Sequence, residues 1–488
     1  MSAVVSQPAD SPVSQAVSLT ASQAGSQTGS QEPSWVDEVL LAGDPDELCL
    51  RFGRDIDRAE LRALVSDWEA RLTGAGLASG GTVALRLPPS LTYVGALLAA
   101  WRTGAQVSLL DHRLTQAEVD RALDRVGARF VVEATEVSGH RLCGFAEVVA
   151  GVTERPAGGP AGTDHALVQF SSGSTGASKV IARTSADLVA ELGRYQRLAD
   201  YPRRGERIVL LASIVHVLGL VGGLLHGLHA GVRVVFPDRL TPEGILATVA
   251  ADPSPATVLG VPFYAELLAG PVDRPAVPQL SKMIVAGELV RPGVPEKFAA
   301  AYGVPLGTMY GMTEFGVIAT DLLGTHWPAV LPTEGTEVRA VDGELRLRMA
   351  ATPYLGLSDP TRFDDGWLRT KDAATVDPDT GLVTILGRLD SQISIGGLKV
   401  DLTEVEQTIS GLPCVVEAVV VHDGGIDAYV ALAEQATRDE LSSAVTRELA
   451  PFKRPRRVNV LPRLPRTATG KIVRDPSVLR AATAPGGD

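Results

Sequence analysis

The chain has 488 residues, which is too long for a single hydrophobic core and predicts two or more domains. A hydrophobic content of 45% with 21% charged residues is typical of a globular enzyme. The formal net charge of −12 argues against nucleic acid or an anionic membrane as the main partner, because the overall field repels phosphates. The three cysteines are far apart and form no C-x-x-C pair, which argues against disulfides and zinc and indicates a reducing, cytoplasmic setting.

Two segments bear on targeting. Residues 1–34 are rich in Ser, Gln and Ala and lack the basic and apolar regions of a signal peptide, so they are predicted to form a disordered tail. Residues 208–228 are nearly all apolar and are long enough to be considered as a membrane-spanning helix. Two histidines, His216 and His226, and a strand-like start instead favour a buried strand followed by a buried helix, so no membrane span is expected.

The predicted elements alternate between apolar strands and amphipathic helices through most of the chain. Strands are predicted at 82–87, 105–110, 232–236, 257–261 and 282–286, and helices at 93–103 and 116–126. This alternation predicts an α/β fold in which helices cover parallel sheets.

The pattern changes in the C-terminal third of the chain. Residues 338–386 form short alternating strands with turns, which predicts a small antiparallel barrel or sheet. After Arg388 a compact α+β module follows, with its clearest strand at 415–421. We therefore predict a large N-terminal domain over 35–387, a small C-terminal domain over 392–481 and a tail at 482–488.

A loop rich in glycine and hydroxyl groups follows the apolar run Ala166-Leu167-Val168. Residues 170–179 read F-S-S-G-S-T-G-A-S-K, a composition that lets backbone N–H groups, hydroxyls and an ammonium surround a phosphate. The spacing is not that of the Walker motif, because Val180 follows Lys179 where Ser or Thr would be required. By itself the loop could equally be an ordinary surface turn.

Further polar clusters accompany this loop. Residues 310–314 read Y-G-M-T-E and offer an aromatic platform for a base, a hydroxyl for a phosphate and a carboxylate for Mg²⁺, although a tight turn is the simpler interpretation. Other clusters lie at 366–372, 387–393, 396–400 and 465–472, and each alone is typical of a turn. The chain has few lysines, yet Lys179, Lys399 and Lys471 lie beside glycines in these clusters, which indicates a need for a compact ammonium donor.

The ordered set F-S-S-G-S-T-G-A-S-K, Y-G-M-T-E, R-T-K-D, G-R-L-D-S-Q-I and T-A-T-G-K resembles the acyl- and aryl-adenylating, AMP-forming superfamily over roughly residues 35–480. That superfamily includes acyl-CoA synthetases, adenylation domains of nonribosomal synthetases and luciferases. The resemblance implies that a carboxylic acid attacks the α-phosphate of ATP, giving an acyl-adenylate and pyrophosphate in the presence of Mg²⁺. The acyl group would then pass to a thiol of CoA or of the phosphopantetheine on a carrier protein.

The resemblance also implies the site residues. A catalytic set is implied at Lys471, Thr313, Glu314 and His216, with Lys471 bridging the substrate carboxylate and the α-phosphate, Thr313 bonding the α-phosphate and Glu314 holding Mg²⁺. The β- and γ-phosphates would be held by Ser171, Ser172, Gly173, Ser174, Thr175, Gly176 and Lys179. The rest of the nucleotide would be contacted by Gly287, Glu288, Leu289, Tyr310, Gly311, Met312, Asp372 and Arg388, with Tyr310 on adenine and the last two on the ribose.

A mobile C-terminal domain is part of the same resemblance. It implies a hinge at 388–391, centred on Asp390, about which this domain rotates between adenylation and acyl transfer. The chain departs from the family at several positions. Lys371 replaces the glycine before the ribose-binding acid, while Ser391 and Ser394 replace a second hinge acid and a lysine, which bears on the thioester step.

The substrate class is indicated by residues 213–219, which resemble the P-x-x-H-x-x-G region of acyl- and aryl-CoA ligases. There the histidine lines the acid pocket, so His216 is expected to do so, although a lone histidine in an apolar run is often a core residue. Amino-acid-activating domains carry an aspartate nearby, whereas this chain has Val217 and Leu218. The expected substrate is therefore a small carboxylic acid without an α-amino group, aromatic or medium-sized aliphatic.

Alternatives stay open at this point. The acceptor could be a nitrogen nucleophile, the loop at 170–179 could belong to a P-loop kinase or ATPase, or the chain could be a silent nucleotide-binding scaffold. The basic run at 451–457 could meet a carrier protein or the CoA phosphates, or form a solvated basic face.

Overall fold

The computed structural model describes residues 34–138, 144–171, 179–270, 275–389, 391–465 and 472–483. Residues 1–33 of the predicted tail 1–34 and residues 484–488 of the predicted tail 482–488 lie outside the described residues. So do residues 172–178 of the predicted phosphate loop, the predicted hinge residue Asp390, and Lys471. Ser171 is described as the last residue of a strand, without its side chain.

The helices of the described residues are α1 (Trp35–Val39), α2 (Arg58–Gly74), α3 (Leu91–Arg102), α4 (Gln116–Val126), α5 (Ser185–Arg197), α6 (His226–Ala230), α7 (Pro242–Ala250), α8 (Pro262–Ala269), α9 (Val294–Tyr302), α10 (Leu402–Ser410), α11 (Arg438–Glu448) and α12 (Pro476–Ala481). A π-helix at Leu218–Leu225 and a 3₁₀-helix at Pro451–Lys453 complete them.

The strands of the same residues are β1 (Leu48–Phe52), β2 (Arg54–Asp57), β3 (Thr82–Arg86), β4 (Gln106–Leu109), β5 (Phe130–Ser138), β6 (Glu147–Glu154), β7 (Leu167–Ser171), β8 (Lys179–Arg183), β9 (Arg207–Leu210), β10 (Arg233–Phe236), β11 (Ala256–Gly260), β12 (Leu280–Ala286), β13 (Leu306–Met312), β14 (Gly316–Asp321), β15 (Leu331–Pro332), β16 (Val338–Val341), β17 (Glu344–Arg348), β18 (Phe363–Asp364), β19 (Trp367–Val376), β20 (Val383–Arg388), β21 (Gln392–Ile395), β22 (Leu398–Asp401), β23 (Val415–His422), β24 (Ile426–Leu432) and β25 (Arg457–Val460).

Two mainly parallel sheets dominate the large domain, as the alternating pattern predicts. Among the described residues, nine strands form one sheet in the order β15-β14-β13-β12-β11-β9-β10-β1-β2, and six form the other in the order β6-β5-β3-β4-β7-β8. In the nine-stranded sheet the consecutive strands β13, β12, β11, β9, β10 and β1 run parallel. In the six-stranded sheet β5, β3, β4 and β7 run parallel, and in both sheets the antiparallel strands lie at the edges. The α/β prediction is confirmed.

The apolar segment 208–228 lies in the centre of the molecule. Its first residues form β9, whose side chains Ile208, Val209 and Leu210 are all at most 1% exposed. The following π-helix packs in the same core cluster as α3 and α5, between the two sheets. The predicted buried strand and buried helix are confirmed, and no helix within the described ranges is long and apolar enough to cross a membrane.

The outer faces of the sheets are covered separately. Helices α7, α8 and α9 pack on one side of the nine-stranded sheet, and α4 packs on the outer side of the six-stranded sheet. The order is therefore helix, sheet, helix, sheet, helix. Parallel strands covered in this way direct their carboxyl ends to a shared edge, where ligands bind in open α/β sheets.

Two smaller units follow in the chain. Within the described residues, β16 to β20 form a five-stranded antiparallel sheet, as predicted for 338–386. After Ser391, the hairpin β21–β22, the sheet β23-β24-β25 and helices α10 and α11 form the C-terminal module, whose core contains Val405, Val420 and Leu441. An α+β module in this position was predicted from the sequence.

Candidate functional site

A cavity of about 1990 Å³ opens where the large domain, the five-stranded sheet and the C-terminal module meet. Its walls include the ends of the parallel strands β4, β7, β9, β12 and β13, which is the edge at which ligands bind in open α/β sheets. The volume exceeds that of an ordinary small-molecule pocket, so more than one substrate can be held at once. The predicted site residues that line it are His216, Gly287, Glu288, Leu289, Tyr310, Gly311, Met312, Thr313, Glu314, Lys179, Asp372 and Arg388.

Tyr310, Asp372 and Arg388 form one hydrogen-bonded group. The Tyr310 hydroxyl donates to Asp372 Oδ2 at 2.6 Å, and Arg388 Nη1 donates to Asp372 Oδ1 at 3.1 Å. Asp372 and Arg388 are direct partners across the β19–β20 ladder, which fixes their spacing. Burial and the adjacent Asp372 carboxylate raise the pKa of Tyr310 well above its usual value, so the phenol stays protonated and continues to donate.

Glu314, Tyr354 and Lys179 form a second group on the same cavity wall. Glu314 lies in the turn between β13 and β14 and is 8% exposed, and its Oε1 accepts a hydrogen bond from the Tyr354 hydroxyl at 3.1 Å. The Lys179 ammonium lies 5.7 Å from the centre of the Tyr354 ring. A buried carboxylate beside a lysine at the mouth of the 172–178 loop fits an oxygen ligand for Mg²⁺ carried by a phosphate. The described residues contain no group of three or more His, Cys, Asp or Glu that could hold a metal unaided.

The phosphate loop is anchored by its two flanking strands. Ser171 ends β7 and Lys179 begins β8, and these two residues are paired across the antiparallel ladder. The seven residues between them lie outside the described residues, and of the two flanking residues Lys179 lines the cavity.

The turn of the hairpin β21–β22 lies against the loop that follows β12. The Gly397 N–H donates to Glu288 Oε1 at 2.6 Å, and Lys399 Nζ donates to the Gly287 carbonyl at 2.6 Å. Ser394 Oγ donates to the same carbonyl at 3.1 Å. The C-terminal module thus reaches the residues that the sequence assigns to the nucleotide, and Ser394 stands at one of these contacts.

His216 faces the cavity beside a charged pair that sequence reasoning missed. Its side chain is 46% exposed, and its Nε2 lies 4.0 Å from Asp111 Oδ2. Arg113 binds Asp111 through two guanidinium nitrogens at 2.8 and 2.5 Å. Burial alone would raise the pKa of Asp111, but the Arg113 bonds lower it to about 2. Burial lowers the pKa of His216 despite Asp111, so the imidazole is neutral near pH 7.

The local backbone explains the spacing of His216 and Gly219. The His216 carbonyl accepts a hydrogen bond from Leu220 N–H at 2.8 Å, in the turn that leads into the π-helix. A Cβ on Gly219 would lie 2.3 Å from the Ser213 carbonyl oxygen, so no side chain fits at that position. In the pattern H-x-x-G, Gly219 thus allows close backbone packing against Ser213, and His216 lies on the cavity wall. π-helical segments frequently occur at functional sites.

Lys471 lies outside the described residues, and the described residues on either side of its segment are Pro465 and Ile472. Ile472 packs with the cluster of Val419, Val421 and Leu479 in the C-terminal module, and Val473 N–H donates to the Pro465 carbonyl. Of the described residues, neither Pro465 nor Ile472 lines the cavity. Pro465 and Ile472 thus lie on a different part of the module from the hairpin β21–β22.

Tyr354 and Asp111 were not identified from the sequence. Asp111 comes two residues after the parallel strand β4, in the run S-L-L-D-H-R, and the position of an acid after such a strand could have indicated a site. Tyr354 lies in an irregular segment between β17 and β18, and no sequence signal marks its contact with Glu314.

The basic run at 451–457 makes contacts within the protein. Lys453 is 8% exposed and contacts two carboxylates, and Arg457 pairs with Asp427. The Arg454 guanidinium donates to the Leu449 and Thr446 carbonyls near the end of α11. Phe452 and Lys453 also line the cavity, and the interpretation of the run as a surface for a carrier protein or the CoA phosphates stays a prediction.

Comparison with known proteins gives a consistent picture. Residues 38–350 match the family model described as AMP-binding enzyme, and residues 404–471 match its C-terminal domain. The chain is 29% identical to p-hydroxybenzoic acid–AMP ligase of Mycobacterium tuberculosis, over 85% of this chain and 64% of that protein. It is also 29% identical to benzoate–CoA ligase of Thauera aromatica, over 64% of this chain and 65% of that protein. The chain thus spans under two thirds of the length of these relatives.

A structural neighbour supports the fold. The o-succinylbenzoate CoA synthetase of Bacillus subtilis, solved with a product analogue, superposes with a TM-score of 0.77 at 21% identity, covering 93% of this chain and 99% of that one. Because the first family model alone covers more than half of the chain, the assignment does not depend on any single relative. The chain belongs to the AMP-binding enzyme family.

Proposed function

We propose that the protein activates a carboxylic acid with ATP, forming an acyl-adenylate and pyrophosphate, and then transfers the acyl group to a thiol. The observation that supports this best is the convergence of Tyr310, Asp372 and Arg388 with Glu314 and Lys179 on one cavity wall. The first group suits a nucleoside and the second suits its phosphates.

The nucleoside would be held by the first group. Asp372 would offer carboxylate oxygens to the ribose hydroxyls, and its hydrogen bonds from Tyr310 and Arg388 hold the carboxylate in one orientation. The Tyr310 ring offers a face for adenine. Since these side chains are positioned before ATP binds, little conformational entropy is lost on binding.

The reaction needs positioning and charge neutralisation more than proton transfer. An oxygen of the substrate carboxylate would attack the α-phosphorus, and the bond to the bridging oxygen of pyrophosphate would break. Thr313 would donate to the α-phosphate, and Lys471 would neutralise the charge that develops between the carboxylate and this phosphate. Glu314 would hold Mg²⁺, which would supply further neutralisation of the phosphate charge.

The acid would lie beside His216, and we expect an aromatic acid. Val217 and Leu218 follow His216 and line the cavity where amino-acid-activating domains carry an aspartate. Asp111, whose Oδ2 lies 4.0 Å from His216 Nε2, is already bound by Arg113. Both relatives named above are named for benzoic acids, which agrees with this expectation.

CoA is the proposed acceptor, with a carrier-protein phosphopantetheine as the related possibility. Both supply the same thiol chemistry through a long, narrow arm that can enter a cavity of this size. A nitrogen acceptor is less favoured, because the curated relatives are named for adenylate or CoA products.

Pyrophosphate exchange against a panel of benzoic, cinnamic, fatty and α-amino acids tests the first step. We expect exchange with one or more aromatic acids, AMP as the nucleotide product, and a loss of at least about 100-fold in Glu314→Ala. Release of ADP, or exchange with α-amino acids alone, would contradict the proposal.

The acceptor is tested by mass spectrometry after incubation with ATP, the preferred acid and CoA, a phosphopantetheinylated carrier protein or an amine. A thioester with CoA or with the carrier is expected. If only the amine yields a stable product, the thiol assignment is wrong while the adenylation step stands.

A further inference from the structure

Lys453 is a buried ammonium between two carboxylates of different domains. Its Nζ lies 2.7 Å from Glu404 Oε1, in the same C-terminal module, and 3.0 Å from Glu118 Oε1, in α4 of the large domain. Lys453 and Glu118 are each 8% exposed. Although burial by itself would lower the pKa of Lys453, the two carboxylates raise it, so the ammonium remains charged.

Glu118 is held firmly on its own helix. It belongs to the capping box of α4, in which its Oε2 accepts hydrogen bonds from Thr115 N–H and Oγ1 at 3.0 Å each. One carboxylate oxygen therefore serves the helix terminus while the other faces Lys453. This fixed position reduces the entropy that must be lost to form the contact between the domains.

The pair differs from an ordinary buried salt bridge because Lys453 has a second partner. If the C-terminal module separates from α4, Lys453 keeps Glu404, and Glu118 becomes hydrated beside its own helix terminus. Separation therefore leaves no buried charge without a partner, whereas docking adds an attraction between oppositely charged groups in a poorly hydrated interface. Such a contact favours one orientation of the module without being needed for either domain to fold.

Two neighbouring contacts join the same segments. Arg121 Nη1, one turn along α4, lies 3.1 Å from Glu448 Oε2, and the Arg113 guanidinium lies 5.4 Å from the centre of the Phe452 ring. The interface therefore consists of residues 113–121 on the large domain and 448–453 on the module. The Arg121 pair is more exposed and contributes less than the buried one.

This docked orientation is the one in which the hairpin β21–β22 reaches Gly287 and Glu288. Pro465 and Ile472, on either side of the Lys471 segment, do not line the cavity among the described residues. An orientation with the hairpin at the cavity, and with Pro465 and Ile472 away from it, suits the step that follows adenylation.

We propose that Glu118 and Lys453 are positioning residues that hold the C-terminal module in the orientation for acyl transfer. This inference rests on the proposed two-step function. It assigns to the two residues an effect on the balance between the steps rather than a contact with substrate. The contact must form after adenylation and break before the next cycle.

The test separates the two half-reactions in the full-length protein. Glu118→Gln keeps the side-chain length and can still serve the capping box, but it removes the charge opposite Lys453. We expect single-turnover transfer from the enzyme-bound adenylate to CoA to slow about tenfold, the equivalent of roughly 1.4 kcal/mol. Pyrophosphate exchange should change less than about twofold.

Charge reversal provides a second variant. Glu118→Lys places two ammonium groups together and should slow transfer further, while the double variant Glu118→Lys/Lys453→Glu restores one cation beside two carboxylates and should recover much of the rate. Glu154→Gln is the matched control, since Glu154 pairs with Arg129 on the surface of the large domain, away from the module. It should leave both steps unchanged.

Hydrogen exchange gives a readout that does not depend on turnover. Glu118→Gln should increase amide exchange in residues 392–401, the hairpin through which the module contacts Gly287 and Glu288 of the large domain, and leave exchange in β9 unchanged. Equal slowing of both half-reactions, or no change in transfer and exchange, would overturn the proposal. If the unaltered protein forms no AMP and pyrophosphate with any acid, the proposed function fails instead.

Discussion

Lys371 illustrates how a single residue can depart from a family pattern at a structural cost. It stands where the family has glycine before the ribose-binding acid, and its φ is +62°, in the left-handed region that glycine adopts freely. The strand is irregular here, with a register shift opposite Glu344 and Arg346. Lys371 Nζ lies 3.4 Å from Glu344 Oε1, which partly offsets the strain.

Alanine is usually more stabilising than glycine within regular secondary structure, and we expect the opposite at position 371. Lys371→Gly should be more stable than Lys371→Ala by about 1 kcal/mol, because both lose the ion pair but only alanine keeps the left-handed strain. Urea denaturation of the two variants measures the difference. A more stable alanine variant would show that the positive φ is not strained.

The hydroxyl of Tyr310 is expected to act through Asp372. Tyr310→Phe keeps the ring and removes the 2.6 Å hydrogen bond, so the carboxylate is oriented by Arg388 alone. The KM for ATP should rise at least about tenfold, corresponding to the roughly 1.5 kcal/mol or more of one hydrogen bond to a charged group, with a smaller change in kcat. Initial-rate kinetics measure this effect. Tyr302→Phe, which alters a hydroxyl bonded to the Leu268 carbonyl outside the cavity, is the control.

The sequence predicted the residues that we propose to bind the nucleotide better than it predicted the residues that hold them in place. Tyr310, Glu314, Asp372 and Arg388 stand in recognisable motifs, and the structure brings them to one cavity. Tyr354 stands in no motif, and the capping-box motif that contains Glu118 does not indicate its contact with Lys453. Their contacts depend on how distant segments meet, and a local sequence pattern contains no information about that.

Among the elements, the hairpin β21–β22 depends most clearly on glycine. Both turn residues have positive φ, +56° at Gly396 and +81° at Gly397, as a tight two-residue turn requires. A Cβ on Gly397 would lie 2.5 Å from Val261 Cγ1, whereas one on Gly396 would meet no atom within 4 Å. The two glycines thus share a backbone requirement and differ in their surroundings.

This difference provides a matched pair of variants. Gly397→Ala should slow acyl transfer at least about tenfold more than Gly396→Ala, because both variants strain the turn but only the first prevents close docking against Val261. Adenylation rates of the two variants should agree within about twofold. Single-turnover assays of each step measure both values. Equal transfer rates would mean that the hairpin turn does not dock during transfer.

Elements with strong local signals were predicted well. The helix at 116–126 has the predicted bounds, since Thr115 and Glu118 form a capping box and Gly127 ends the helix with a φ of +61°. Residues 208–228 were harder, because an apolar run does not distinguish strand from helix. No local pattern in this run indicates a π-helix, which depends on the packing around Gly219 and Gly222.

For the whole molecule, the position of the C-terminal module could not be predicted from the sequence. The hinge proposed at 388–391 implies that at least two orientations exist, and the present one brings the hairpin to the cavity. The choice between orientations depends on contacts such as that of Lys453 with Glu118, which join residues more than 300 positions apart. The folds of the separate domains, in contrast, follow from local periodicity.

Lys471 tests the rotation as a property of the whole molecule. Lys471→Ala should reduce adenylation at least about 100-fold, because the charge that develops at the α-phosphate is not neutralised. The same variant should transfer the acyl group from chemically supplied acyl-adenylate to CoA within about threefold of the unaltered rate, since the segment is expected to leave the cavity for that step. Equal loss in both assays would indicate that the module does not rotate.

The contact between the hairpin and the Gly287–Glu288 loop has a further kinetic consequence. While Gly397 and Lys399 rest on that loop, the nucleotide site lies beneath the docked module. AMP would then be retained until the thioester has formed and the module has rotated away from the loop. The products should therefore be released in a fixed order, with AMP last. Product-inhibition patterns would reveal this order, with AMP competing against ATP and the thioester competing with neither ATP nor the acid.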